Sequence, residues 1–84
     1  VTIYLELHGS LRRVATEPDG RTARVELAAG ARVADALAAA GLPLHDVWRV
    51  ARRGELVEVA SLVCDGDRLA VFPPLGGGAS HRGV

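Results

Sequence analysis

The chain has 84 residues, 49% of them apolar, which suits one modest core and leaves nothing for a second domain. Ten acidic and ten basic side chains cancel, so no bulk charge draws the chain to nucleic acid or to an anionic membrane. No apolar stretch approaches the roughly 20 residues of a membrane span, and no secretory signal pattern opens the chain.

Val1 to His8 alternates cleanly, with Val1, Ile3, Leu5 and Leu7 on one side and Thr2, Tyr4, Glu6 and His8 on the other. Period two over this length is a half-buried strand. Gly9-Ser10 ends it, Leu11 to Val14 suits a short helical turn, and Glu17-Pro18-Asp19-Gly20 is turn chemistry. Thr22 to Ala28 alternates again, with Ala23, Val25 and Leu27 inward. Arg32 to Ala40 reads as the main helix, because Val33, Ala36, Leu37 and Ala40 share one face of an Ala-rich segment. Its start has no Ser, Thr, Asp or Asn at 30 or 31 and is expected to fray; Gly41 and Pro43 stop its other end.

Val47 to Arg52 is a third strand, with Trp48 and Val50 on one face and Trp48 expected to be buried. Arg53-Gly54 is a hairpin turn into a fourth strand, Glu55 to Val59. Cys64-Asp65-Gly66-Asp67 is a turn, and Arg68 to Phe72 is the last strand, with Leu69 and Val71 inward and Ala70 and Phe72 outward. Pro73-Pro74 ends it. One helix over one face of a mixed sheet is an α+β two-layer domain, residues 1–74. Residues 75–84 have little to bury and are expected to form a flexible tail carrying Gly76-Gly77-Gly78.

Few residues offer chemistry. Cys64 cannot form an internal disulfide, which fits a reducing compartment such as the cytoplasm. Asp65 and Asp67 flank it and oppose the electropositive setting of a nucleophilic thiol, so it reads as a small, buried or half-buried turn residue. His8, His45 and His81 lack metal-ligand spacing, and Asp65-Gly66-Asp67 lacks the further ligands of a calcium loop, so no metal is expected. Arg12/Arg13 and Arg49/Arg52/Arg53 read as a solvated face in preference to an RNA surface. All ten basic residues are Arg, so the chain has no Lys to accept an isopeptide bond. Tyr4 and Phe72, outward on strands expected to be neighbours, form a candidate partner interface. The Gly76-Gly77-Gly78 run lacks the helix and Lys-Ser/Thr pair of a phosphate loop. It is either a linker or a segment that threads a channel, spanning about 14 Å from Leu75 to Gly78 when extended.

The stretch Asp65-Gly66-Asp67-Arg68-Leu69-Ala70-Val71-Phe72-Pro73-Pro74-Leu75-Gly76-Gly77-Gly78 resembles the C-terminal signature of the MoaD/ThiS family of ubiquitin-like sulfur carrier proteins. Within that family it most resembles the molybdopterin synthase small subunit. The resemblance implies a ubiquitin-like β-grasp, a mixed sheet of four to five strands packed on one main helix, with no catalysis by the chain itself. It implies an E1-like activating enzyme that uses ATP to adenylate the terminal glycine carboxylate, which becomes a thiocarboxylate. The chain itself would bind no cofactor. The sulfur would pass to an acceptor enzyme such as the molybdopterin synthase large subunit. By position the reactive glycine is Gly78, with Pro73, Pro74, Leu75, Gly76 and Gly77 docking the tail. Two features depart from the family pattern. Residues 79–84 follow Gly78 and call for a processing protease. Arg52-Arg53-Gly54 stands where relatives often have an apolar residue and Asn. Two alternatives use the same fold: an interaction module that binds a protein or RNA through its sheet without forming a thiocarboxylate, and a protein-conjugating modifier.

Overall fold

Strand pairing, not strand placement, decides that the first and last strands meet. The computed structural model describes residues 1–74. In chain order the elements are β1 (Thr2–Leu7), β2 (Thr22–Glu26), α1 (Val33–Ala39), β3 (Arg49–Arg52), β4 (Glu55–Val57) and β5 (Arg68–Phe72). Short 3₁₀ segments lie at Gly9–Val14 and Leu44–Asp46. The sheet order is β2-β1-β5-β3-β4. β1 and β2 form an antiparallel pair, and β3 is antiparallel to both β4 and β5. The first and last strands are neighbours and parallel, Leu5 beside Leu69 and Leu7 beside Val71. This is the expected ubiquitin-like β-grasp.

The inward residues of the alternating strands make the core. Ile3, Leu5 and Leu7 of β1, Ala23 and Val25 of β2, Val50 of β3, and Leu69 and Val71 of β5 are buried with Val33, Ala36 and Leu37 of α1. Each fully buried Leu, Ile or Val contributes about 1.5–3 kcal/mol of transfer free energy. Leu11 of the first 3₁₀ segment closes the core beside the end of β1.

The helix start corrects the fraying expectation. Without a side-chain acceptor at residue 30 or 31, the first free donors find backbone instead: Val33 N–H donates to Ser61 C=O at 2.9 Å and Ala34 N–H to Val59 C=O at 2.9 Å. Asp35 reaches back, its Oδ2 accepting from Arg32 N–H at 2.8 Å. The segment after β4 therefore caps the helix, a role invisible locally. The same demand shortens β4 to Val57, because Val59 turns away to face the helix start.

Trp48 is the second correction: it is 49% exposed. It does share its side of the sheet with Val50, lining an open groove with Leu44, Val57 and Val59. The seven residues of α1 span only about 10 Å at 1.5 Å per residue and do not cover this corner. The ring is faced by the Arg49 guanidinium, 4.3 Å from its centroid. Cys64 is the third: it is exposed, not buried.

The turns before β5 are structural. Asp65 Oδ1 accepts from Thr2 N–H at 2.7 Å, and Gly66 N–H donates to Thr2 C=O at 2.7 Å. Asp67 Oδ2 accepts from Cys64 N–H at 2.9 Å and from Arg52 Nη1 at 3.0 Å. Both aspartates are occupied in joining β5 to β1 and β3. Among the described residues no group of three or more His, Cys, Asp or Glu is placed to hold a metal ion.

Candidate functional site

Alternation puts Tyr4, Glu6 and His8 of the β1 strip, Arg68, Ala70 and Phe72 of β5, Arg49 and Ala51 of β3, and Leu56 of β4 on the sheet face opposite the helix. The registers arrange them in rows: Leu56 beside Ala51, Ala51 beside Ala70, Ala70 beside Glu6. A second row runs through Arg24, Tyr4 and Arg68, with the Arg68 guanidinium 4.8 Å from the Tyr4 ring centroid. Phe72 sits beside Arg49 in a third.

Tyr4 and Phe72 share this face but do not meet. The parallel register sets Tyr4 beside Arg68, and Phe72 lies four residues farther along, about 13 Å at 3.3 Å per residue. The neighbour of Phe72 is His8. Their rings stack with centroids 4.4 Å apart and planes 18° from parallel. The sequence held the signal for this partner. Parallel neighbours bring like ends together, so the last outward residue before Gly9 belongs beside the last outward residue before Pro73.

The face is mixed in chemistry. Its apolar strip comprises Phe72, Ala70, Ala51 and the exposed Leu56. Arg53, Arg68 and Glu6 also line the groove over this strip. Arg52 also reaches the groove, but its guanidinium is held by Asp67 and by Leu62 C=O at 3.1 Å. Arg13 is likewise engaged, bonded to Asp46 at 2.9 Å. The arginines read from the sequence as a solvated face thus include two, Arg13 and Arg52, held in ion pairs, while Arg53 lines the groove beside the apolar strip.

The strip leads to the point where the chain leaves the sheet. Trp48 N–H donates to Phe72 C=O at 2.7 Å, and His8 N–H donates to Val71 C=O at 3.2 Å. The end of β5 is thus held by the residue just before β3 on one side and the residue just after β1 on the other. Pro73 and Pro74 follow, beside Ser10, Leu11 and Asp46. Leu75, Gly76, Gly77 and Gly78 lie outside the described residues, as does His81. No helix among the described residues is long and apolar enough to cross a membrane.

The same architecture occurs in known structures. SAMP1 from Haloferax volcanii is 32% identical, with a TM-score of 0.70 over 93% of this chain and 100% of that one. A structure of the H. volcanii small archaeal modifier protein 1 is 30% identical, with a TM-score of 0.70 over 88% of this chain and 98% of that one. No curated protein matches the chain. The model of the ThiS family matches residues 5–78, from the second inward residue of β1 to the third glycine of the triplet. Proteins of this kind are carriers or modifiers, not catalysts, and generally work with E1-like activating enzymes and acceptor proteins. With a parallel β1–β5 pair at the centre of a β-grasp sheet and a family match running through the glycine triplet, the chain belongs to the ThiS family.

Proposed function

We propose that this chain is a sulfur carrier whose reactive group is the carboxylate of Gly78, freed by removal of residues 79–84. The observation that carries this reading is where the family match stops: at residue 78, the last glycine of Pro-Pro-Leu-Gly-Gly-Gly. The chemistry needs a carboxylate there. Its oxygen attacks the α-phosphorus of ATP on an activating enzyme, and pyrophosphate leaves. A sulfide-class donor then attacks the acyl carbon, AMP leaves, and a thiocarboxylate remains. While residue 79 is attached, Gly78 is an internal amide and offers no such oxygen. The recipient is a biosynthetic enzyme, with molybdopterin synthesis the pathway suggested by the C-terminal signature.

The test compares two chain lengths with a cognate activating enzyme, reading ATP-dependent pyrophosphate release. The chain ending at Gly78 is expected to react and the 84-residue chain to be inert. Gly78→Leu is expected to abolish the reaction, since a side chain meets the walls of a channel shaped for glycine. Cys64→Ser is expected to change nothing, because the sulfur sits on the terminal carboxyl group. Equal activity of the two lengths would overturn the processing step.

One observation favours a second reading. The H. volcanii neighbour is described as a small archaeal modifier protein. Conjugation would use the same adenylate, with a target amine attacking the acyl carbon in place of sulfur. Intact mass separates the two: thiocarboxylate replaces one oxygen by sulfur, whereas conjugation shifts the chain to the mass of a target adduct. This chain has no Lys, so it could not be the target through a Lys side chain.

A further inference from the structure

Among the described residues, Arg53 alone combines a side chain with a positive φ. It stands at +55°, followed by Gly54 at +80°, in the two-residue turn that the Arg52–Glu55 pair closes between β3 and β4. A hairpin turn with positive φ at both positions favours Asn-Gly, because a long side chain's Cβ crowds the backbone in the left-handed region. No contact inside the chain offsets this. Side-chain hydrogen bonds from arginine come from Arg13, Arg32 and Arg52. Arg24 and Arg68 face carboxylates. Among the described residues the Arg53 guanidinium has neither kind of partner. Strain kept where the fold gains nothing from it points to a contact outside the chain.

The groove shows what that contact is. Three arginines and two carboxylates line it, beside Phe72, Ala70, Ala51 and Leu56. Arg52 lies 3.0 Å from Asp67, and Arg68 lies 3.8 Å from Glu6. Arg53 is the groove's cation without a counter-charge. A partner that covers the apolar strip also takes water from this guanidinium. A cation that loses water and gains no acceptor is costly, so the partner has to bring a carboxylate. The planar fork of an arginine receives a carboxylate through two parallel hydrogen bonds, and apolar surroundings strengthen them.

We propose that Arg53 is a specificity-determining residue for the activating enzyme: its guanidinium receives a carboxylate that the enzyme presents beside the apolar side chains seated on the strip. This rests on the activation reading above and adds the chemistry of the contact. The turn gives up stability to hold a free cation at the groove.

The binding test titrates chains ending at Gly78 into the activating enzyme without ATP, so no turnover is needed. Arg53→Asn is expected to weaken binding about tenfold, the scale of a charge-assisted hydrogen bond. The same variant should raise the urea midpoint of the free chain, since Asn suits the turn. Arg53→Lys keeps the charge and loses the fork, so its affinity should fall between those two chains. Arg53→Glu should bind weakest. Raising salt from about 0.05 M to about 0.5 M should weaken the unsubstituted chain more than Arg53→Asn. An arginine with a purely structural role would move stability and binding in the same direction. Undiminished binding by Arg53→Asn or Arg53→Glu overturns the proposal. So does an equal salt dependence, or a urea midpoint for Arg53→Asn that is unchanged or lower.

Pyrophosphate release separates this contact from the reading it rests on. If the unsubstituted Gly78-ended chain binds a competent enzyme but releases none, the activation reading fails, and the expected ranking of the four affinities still upholds the Arg53 contact. If all four chains react with the same KM, activation stands and the contact is overturned. If the unsubstituted chain neither binds nor reacts, both are overturned.

Discussion

The imidazole of His8 stacks on the ring of Phe72, 4.4 Å between centroids and 18° from parallel, and so joins the last outward residues of two parallel strands. This contact makes Phe72 half-buried on a face that is otherwise open, and it holds one side of the ring at the edge of the apolar strip.

Phe72→Ala therefore has two separable effects. Loss of the stack should lower stability by about 1 kcal/mol, the range of an aromatic pair. Loss of the strip's largest side chain should weaken binding to an activating enzyme by about 1–3 kcal/mol, the range of an interface anchor. Urea unfolding measures the first and titration of the activating enzyme the second. His8→Ala should reproduce the first effect and only part of the second. A stability loss several times larger than expected would place Phe72 in the core.

The hairpin between β3 and β4 places Arg53 at φ +55° and Gly54 at φ +80°. Positive φ at both central residues is the type I′ pattern, which favours Asn-Gly. An Arg there has its Cβ crowded against backbone. Arg53→Asn should stabilise the chain by about 1 kcal/mol, seen as a higher urea midpoint at unchanged slope. An unchanged or lower midpoint would show that the Arg53 side chain gains more at the groove edge than its backbone loses.

Asp67 serves two donors, Cys64 N–H and the Arg52 guanidinium, and its side chain is 13% exposed against 29% for Arg52. Asp67→Ala leaves both unpaired in a partly shielded corner. A loss of about 1–3 kcal/mol is expected. Asp67→Asn keeps an acceptor for Cys64 N–H and should lose less. Thermal unfolding of the two variants in parallel checks the order.

Asp19 gives the acid-side prediction. The Thr22 hydroxyl donates to Oδ2 at 2.6 Å, and the Arg21 N–H donates to Oδ1 at 2.8 Å; the hydroxyl, then the amide, hold the carboxyl below its ordinary value of 3.8. With the folded value depressed, the stability from this group is fully present above the unfolded value. It is lost as pH falls below 3.8 through the lower folded value. Asp19→Asn should flatten that part of the stability–pH curve and leave the neutral region's slope unchanged. Unfolding curves collected from pH 6 down to pH 2 test this, and an acid slope identical to that of the unsubstituted chain would rule it out.

Much of the molecule follows from local order along the chain. Alternation at Val1–His8, Thr22–Ala28 and Arg68–Phe72 places the inward Ile3, Leu5, Val25, Leu69 and Val71, because a strand can bury only every second side chain. Ala-rich sequence before Gly41 places α1, and Pro73 ends the last strand because it cannot donate to the ladder. The Pro-Pro-Leu-Gly-Gly-Gly run and its family likeness are legible in the sequence itself. What only tertiary structure decided is which residues meet across the sheet. Register fixed that Phe72 faces His8 and not Tyr4, that Gly9 meets Pro73, and that the carbonyls of Val59 and Ser61 cap the helix. The exposure of Trp48 belongs to the same class. Alternation states which side of a strand a residue takes, but burial depends on whether another element lies above it, and α1 is too short to reach that corner.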